Sequence, residues 1–157
     1  DLHSFPTRRS SDLRTCAAAV VMMSSEKAEK MGLKPLLKVK GFASVGLDPH
    51  VMGFGPIGAV QKLLKNTGIT MDEVELVELN EAFASQSVGC IEELGLDPAI
   101  VNPNGGAIAL GHALGATGAV LTTKAAYAMK DAKKKYAIVT MCVGGGEGAA
   151  ALFEKVD

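Results

Sequence analysis

The sequence of 157 residues has no tryptophan, few aromatic residues of any kind (4%) and almost no net charge (−1). Because single-stranded nucleic acid is commonly held by stacking of bases on aromatic rings, this scarcity argues against such a ligand. A net charge near zero argues against a nucleic acid or an anionic membrane held by bulk charge. No apolar run is long enough to span a bilayer. We therefore expect neither a nucleic acid nor a membrane as a partner.

Cysteine and histidine are also scarce, with three residues of each type in the chain. Cys16, Cys90 and Cys142 form no CxxC pair, and the histidines are too scattered to complete a zinc-binding pattern. An odd and sparse set of cysteines is typical of a reducing compartment. The sequence therefore predicts a cytoplasmic protein without a metal site.

Hydrophobic residues make up 48% of the chain and charged residues 21%, which is typical of a globular domain with a real core. The first 13 residues differ from the rest, since they have neither an apolar period nor the apolar central region of a signal peptide. Residues 4–13 resemble the translation of a sequencing-library adapter fused in frame. We therefore expect a non-native tail at 1–13 and one domain at 14–157, from a protein whose true start is missing.

Apolar runs and alternating patterns predict strands separated by helices along the domain. The predicted strands are 17–23, 36–45, 74–79, 136–143 and 148–153. The predicted helices are 26–31, 61–65, 84–94 and 113–129, with a loop at 48–58. This order predicts an α/β layered fold in which a mixed, mainly parallel sheet packs between helices. The last two strands, separated by three glycines, are expected to form a hairpin, which makes the sheet mixed.

Three polar residues lie at the ends of separate segments. Asn80 ends a strand, His112 ends the loop within the glycine-rich stretch 102–118, and Cys142 ends an apolar strand just before three glycines. Each has an ordinary structural alternative: a helix cap for the asparagine, a core position for the histidine and an inert buried thiol for the cysteine. Together, an amide, an imidazole and a thiol suit acyl transfer or carbon-acid chemistry on a carbonyl compound.

The motifs at these positions resemble those of the thiolases, the family of acetyl-CoA acetyltransferase and 3-ketoacyl-CoA thiolase. They are M-G-F-G-P at 52–56, N-E-A-F-A at 80–84, N-G-G-A-I-A-L-G-H at 104–112 and C-V-G-G-G at 142–146. The resemblance implies a thiolase-like fold and Claisen condensation of two acetyl-CoA molecules, or the reverse cleavage of a 3-ketoacyl-CoA by CoA. It implies no cofactor, because the CoA thioesters are substrates, and it implies a homodimer or homotetramer.

The resemblance also implies a role for each site residue. His112 would activate a nucleophilic cysteine and help to hold the thioester oxyanion, and Asn80 would position a water in the same oxyanion hole. Cys142 would take the α-proton in condensation and serve the CoA thiol in cleavage. Met52 and Phe83 would line the acyl pocket, with Ala82 beside Phe83 in the implied substrate-binding set. The backbone N–H of Gly144 would lie in a second oxyanion hole.

The resemblance covers the C-terminal half of a thiolase, whereas the family's nucleophilic cysteine belongs to the N-terminal half. Cys16 lies in the wrong motif and Cys90 on a helix, so we expect the isolated chain to be inactive. Ala113 replaces the family's usual proline, and Glu147 replaces glutamine and is expected to face solvent. Two alternatives stay open: a condensing enzyme of the ketoacyl synthase type, and a non-catalytic acyl- or sterol-carrier relative. Those synthases typically have His or Asn where this chain has Cys142.

Overall fold

The structure, a computed structural model, describes residues 16–132 and 134–156; the predicted tail at 1–13 lies outside them. The helices are α1 (Ser25–Lys30), α2 (Gly55–Thr67), α3 (Ala84–Leu94), α4 (Ala107–Leu110) and α5 (Thr117–Ala132). The strands are β1 (Leu37–Gly46), β2 (Leu76–Leu79), β3 (Tyr136–Val143) and β4 (Glu147–Lys155). Short 3-10 helices occupy Pro49–Phe54, Met71–Glu73 and Pro98–Ile100. Among the described residues, no helix is long and apolar enough to cross a membrane.

The described strands form one sheet in the order β1-β4-β3-β2. The strands β2 and β3 are parallel, whereas β4 runs antiparallel to both β3 and β1. The predicted α/β mixed sheet and the terminal hairpin are confirmed. The expectation of a mainly parallel sheet is corrected, because the hairpin turns β4 back along β3 and β1 then pairs with β4 on its outer side.

Helices cover both faces of the sheet, as the sequence predicted. On one face, Leu63 of α2 and Cys90 of α3 pack with Leu79, Ile138 and Leu152 of the strands. Neighbouring strand residues point the other way because side chains alternate along a strand. They form a second core with α5, made up of Leu76, Ala137, Val139, Phe153, Leu121, Ala125 and Met129.

The predicted strand at 17–23 is wrong. These residues have no regular structure, and the side chains of Val21 and Met22 are 84% and 74% exposed. An apolar run predicts burial, but a strand also needs a neighbour for its backbone hydrogen bonds. Within the described chain this segment is not part of the sheet, whose two outer strands are β1 and β2.

Two helix starts also differ from prediction. The expected loop at 48–58 contains a 3-10 helix and the first turn of α2, where Pro56 suits a position whose N–H needs no partner in the helix. The helix expected from Ala113 begins at Thr117, so His112 lies before a turn rather than at the helix start. Leu114, expected on the apolar stripe of that helix, is 67% exposed and lies outside it.

Glycines bring the start of α2 against β4. A Cβ on Gly148 would overlap the carbonyl group of Gly55, and a Cβ on Gly55 would lie 2.5 Å from the carbonyl oxygen of Glu147. Real Cβ atoms essentially never approach backbone this closely, so both positions require glycine. The contact fixes the 3-10 helix Pro49–Phe54, which carries Met52, beside the hairpin that carries Cys142.

Candidate active site

Two of the site residues lie at the same edge of the sheet, the one formed by the carboxyl ends of β2 and β3. The parallel strands β2 and β3 pair Leu79 with Thr140, and the backbone N–H of Asn80 donates to the Thr140 carbonyl at 2.9 Å. Asn80 is the first residue after β2, and Cys142 lies two residues beyond Thr140 in β3. Polar groups at the carboxyl ends of adjacent parallel strands are where α/β proteins commonly bind ligands.

The side chains of Asn80 and His112 are in contact. Asn80 Nδ2 lies 3.4 Å from His112 Nε2, and the asparagine is only 2% exposed. Its Oδ1 is buried and has no hydrogen-bond partner among the residues that the structure describes. A buried amide oxygen without a partner is costly, which suits a position that holds a bound molecule. Asn80 does not cap α3, since the residue at that position is Phe83.

The hydrogen bonds of His112 define its tautomer. The Thr117 hydroxyl donates its single hydrogen to the Ala113 carbonyl at 2.8 Å. Thr117 Oγ1 also lies 2.9 Å from His112 Nδ1, and from the commitment of its hydrogen to Ala113 we infer that it accepts a hydrogen bond from Nδ1. In the neutral imidazole this leaves Nε2 unprotonated and directed at Asn80. His112 therefore presents a basic nitrogen to the site.

Burial shifts the pKa values of His112 and Cys142 in opposite directions, and both shifts favour the neutral group. Partial burial lowers the pKa of His112, which favours the neutral imidazole that can accept a proton. Burial raises the pKa of the Cys142 thiol, against a smaller effect of a backbone hydrogen bond. At neutral pH the site therefore combines a base with a thiol that can donate a proton. Cys142 is half-buried rather than sealed in the core.

The predicted substrate-binding residues lie on segments around this edge. Phe83 is 48% exposed at the start of α3, and Ala82 beside it is half-buried. Met52 is half-buried on the 3-10 helix, which packs on α3 through a hydrogen bond of 3.6 Å from Cys90 Sγ to the Gly53 carbonyl.

Gly144 is exposed in the turn between β3 and β4, two residues after Cys142. The next residues, Gly145 and Gly146, have φ of 93° and 92°, conformations that favour glycine. Glu147 is exposed, as predicted.

Sequence reasoning missed three residues that support the site: Thr117, Asn102 and Glu81. Thr117 is buried. A threonine early in a helix is ordinarily expected only to donate its hydroxyl hydrogen to a backbone carbonyl of the preceding turn. Asn102 has a φ of 46°, the only positive value among the described non-glycine residues. Its place in an N-P-N-G-G sequence signals a turn, since asparagine tolerates this conformation. Nothing in the sequence signals the contact of Thr117 with His112, or the bonds that Asn102 and Glu81 make beside the site.

Replacing Thr117 with valine tests the tautomer. Valine has a similar shape but cannot accept the Nδ1 proton, so we expect His112 to change from one tautomer to a mixture. The measurement is the ¹⁵N chemical shift of both ring nitrogens by NMR. The matched control is Thr123→Val, because the Thr123 hydroxyl donates to a carbonyl four residues earlier at 2.8 Å in the same helix. Unchanged shifts in Thr117→Val would contradict the assignment.

Comparison with known proteins agrees with the fold and the motifs. Residues 33–155 match the family model described as the thiolase C-terminal domain. The beta-ketothiolase BktB of Cupriavidus necator is 48% identical over 146 residues, 93% of this chain and 37% of the relative. The 3-ketoacyl-CoA thiolase of Bacillus subtilis is 52% identical over 138 residues, 88% of this chain and 35% of the relative. The chain thus spans little more than a third of the length of these relatives.

Solved structures give the same result. The acetyl-CoA acetyltransferase of Bacillus anthracis superposes with a TM-score of 0.84 at 40% identity, over 85% of this chain and 34% of that one. The human mitochondrial 3-ketoacyl-CoA thiolase, solved in complex with CoA, superposes with a TM-score of 0.83 at 38% identity over the same shares.

Proposed function

Because the chain belongs to the thiolase family, whose C-terminal domain it matches, we propose that it supplies the histidine, asparagine and acid/base cysteine of a thiolase. The complete protein would join two acetyl-CoA molecules into acetoacetyl-CoA, or cleave a 3-ketoacyl-CoA with CoA. The observation that carries the proposal is the contact of 3.4 Å between His112 Nε2 and the buried side-chain amide of Asn80. The names of the relatives support CoA thioesters as the substrates.

The first half of the proposed reaction is an acyl transfer. His112 Nε2 takes the proton of a nucleophilic cysteine, whose sulfur attacks the carbonyl carbon of acetyl-CoA. The carbonyl oxygen becomes an oxyanion, which the protonated His112 and a water on Asn80 stabilise. The C–S bond to CoA then breaks, and the Cys142 thiol donates its proton to the leaving CoA sulfur. An acetyl-enzyme and a Cys142 thiolate are left.

The second half forms the carbon–carbon bond. The Cys142 thiolate takes an α-proton from a second acetyl-CoA, and a raised thiol pKa makes this thiolate a stronger base. The resulting carbanion attacks the acetyl-enzyme carbonyl, whose oxyanion the Gly144 N–H would hold. The C–S bond to the nucleophilic cysteine breaks, which releases acetoacetyl-CoA and restores that cysteine as a thiolate that recovers its proton from His112. Cleavage by CoA is the reverse.

The nucleophile in this proposal comes from outside these 157 residues. Cys16 is exposed on a segment without regular structure, and Cys90 is buried in α3 with a pKa that burial raises, so neither suits an activated thiolate. We therefore propose that the chain alone does not turn over acetoacetyl-CoA.

A hybrid enzyme tests the function. In it, residues 16–157 replace the matching region of the 3-ketoacyl-CoA thiolase of Bacillus subtilis, and cleavage of acetoacetyl-CoA by CoA is followed. We expect turnover by the hybrid enzyme and none by the chain alone. Turnover by the chain alone would contradict an external nucleophile. A folded hybrid enzyme that binds acetoacetyl-CoA without cleaving it would favour the non-catalytic binding alternative.

We also propose that the complete protein is a cytoplasmic homodimer or homotetramer. All three cysteines are free, which supports a reducing compartment. Large apolar side chains are exposed around the site, including Phe83 at 48%, Leu110 at 58% and Leu114 at 67%. Apolar surface of this kind is usually covered by another domain or subunit. Sedimentation analysis of the hybrid enzyme measures the subunit number.

A further inference from the structure

We propose that Glu81 is a positioning residue, which holds the loop carrying His112 against the strand end carrying Asn80. The proposal rests on the proposed function, since it concerns the same site. Glu81 follows Asn80 directly, and its half-buried carboxylate has two partners, Asn102, which is bonded to β2, and Ile108, which precedes His112 by four residues. Oε1 accepts a hydrogen bond of 2.8 Å from Asn102 Nδ2, and Oε2 accepts one of 3.0 Å from the backbone N–H of Ile108.

The Asn102 partner fixes the strand side of the contact. Asn102 Oδ1 accepts from the N–H of Leu79 at 2.9 Å, and its Nδ2 donates to the Leu79 carbonyl at 2.8 Å. The backbone N–H of Asn102 donates to the Val77 carbonyl at 2.8 Å. The asparagine side chain thus replaces a neighbouring strand for the last residue of β2, immediately before Asn80. The same Nδ2 donates its second hydrogen to Glu81 Oε1.

The Ile108 partner fixes the histidine side. Ile108 lies in the first turn of α4, and the chain continues from Leu110 through Gly111, with φ of 96°, to His112. Gly106 precedes this turn, and a Cβ there would overlap the Glu81 carboxylate. Glycine at 106 therefore lets the carboxylate approach the backbone of the loop. A single carboxylate ties together both sides of the 3.4 Å contact between Asn80 and His112.

The chemistry of the contact requires a carboxylate. Both oxygens of Glu81 accept from N–H donors, and charge-assisted hydrogen bonds are stronger than neutral ones. Glutamine has the same size but carries an NH₂ group in place of one oxygen. This NH₂ group faces one of the two N–H donors and cannot accept a hydrogen bond from it. Glu81→Gln therefore breaks one bond without emptying the site. Because acyl transfer depends on the placement of groups within about 0.5 Å, the loss of this bond should change the position of the His112 ring.

The experiment is NMR on the 157-residue chain. In Glu81→Gln we expect one of the two donors, the backbone N–H of Ile108 or the side-chain amide of Asn102, to exchange its hydrogens about tenfold faster or more, as for the loss of one charge-assisted bond. We expect the two ring nitrogens of His112 to lose the shifts of a single tautomer. Glu93→Gln removes the same charge from an exposed position on α3 and should change neither signal. Gly106→Ala displaces the carboxylate without altering it and should act like Glu81→Gln, whereas Gly115→Ala, with open space around it, should not.

The outcomes separate positioning from a structural role. Faster exchange at either donor with an unchanged His112 tautomer would overturn the proposal, because Glu81 would then stabilise the loop alone. Unchanged exchange at both donors would overturn it as well. Loss of the whole fold in both Glu81→Gln and Gly106→Ala would also overturn it. If only one variant folds, its His112 signals decide. No signal in this test depends on turnover, so an inactive hybrid enzyme would contradict the proposed function and leave this result standing.

Discussion

Replacing Cys142 with alanine lowers the turnover of the hybrid enzyme by about a thousandfold, within the range of about 10²–10⁴ for a positioned acid or base. The reason is that the proposed reaction assigns to Cys142 the proton transfers of both of its halves. The substitution removes a half-buried thiol and leaves the contact between Asn80 and His112 in place. We therefore expect kcat to fall much more than KM for acetoacetyl-CoA changes.

The matched control for this substitution is Cys16→Ala. Cys16 is exposed and lies outside every described helix and strand, so its removal should leave turnover within a factor of about two, as for a surface change. A rate for Cys142→Ala within a few-fold of the parent would show that the acid/base assignment is wrong. Circular dichroism of the variant separates lost chemistry from lost folding.

The sequence contained enough to predict which strands carry Asn80 and Cys142, because an apolar run followed by a polar residue and glycines indicates a strand end. It did not contain the register that puts Leu79 beside Thr140 and so brings both residues to one edge. That register depends on long-range pairing. The error at 17–23 has the same origin, since an apolar run does not reveal whether a neighbouring strand exists.

The contacts of Thr117 and Glu81 could not be predicted from the sequence for a further reason. The bond between Thr117 and His112 depends on where α5 begins, four residues later than the sequence indicated. The bonds of Glu81 depend on a turn at Asn102 with positive φ and on the absence of a side chain at Gly106. Local patterns therefore predicted the chemical groups, whereas the orientation of those groups required the folded chain.

Lys124 and Glu78 form the ion pair beneath this region. Lys124 Nζ lies 2.6 Å from Glu78 Oε2 and 2.5 Å from the carbonyl oxygen of Gly105, at the start of the His112 loop. The glutamate side chain is 0% exposed and the lysine 17%. Glu78 Oε1 has no partner among the described residues, so Lys124 is the principal compensation for a buried charge.

Replacing Lys124 with methionine should lower the free energy of unfolding by about 3–5 kcal/mol, because it leaves the Glu78 carboxylate buried and unpaired. Urea denaturation of the 157-residue chain near neutral pH measures the effect. The matched control is Lys40→Met, since Lys40 pairs with Glu154 at 3.3 Å while both side chains stay partly exposed, at 32% and 23%. Exposed pairs of this kind contribute about 0–1 kcal/mol. Equal losses for the two variants would contradict a special role for the buried pair.

The pH dependence distinguishes the charge of Glu78 from simple packing. Burial raises the pKa of Glu78 above its usual 4.5, even though Lys124 lowers it. The folded chain therefore keeps this proton at a pH where the unfolded chain has lost it, so stability falls as pH rises from 4.5 through the folded pKa. Without Lys124 the pKa rises further and the fall becomes larger. The loss in Lys124→Met should thus shrink as pH decreases towards 4.5, whereas a loss that is constant with pH would mean that the lysine stabilises the fold through its aliphatic chain.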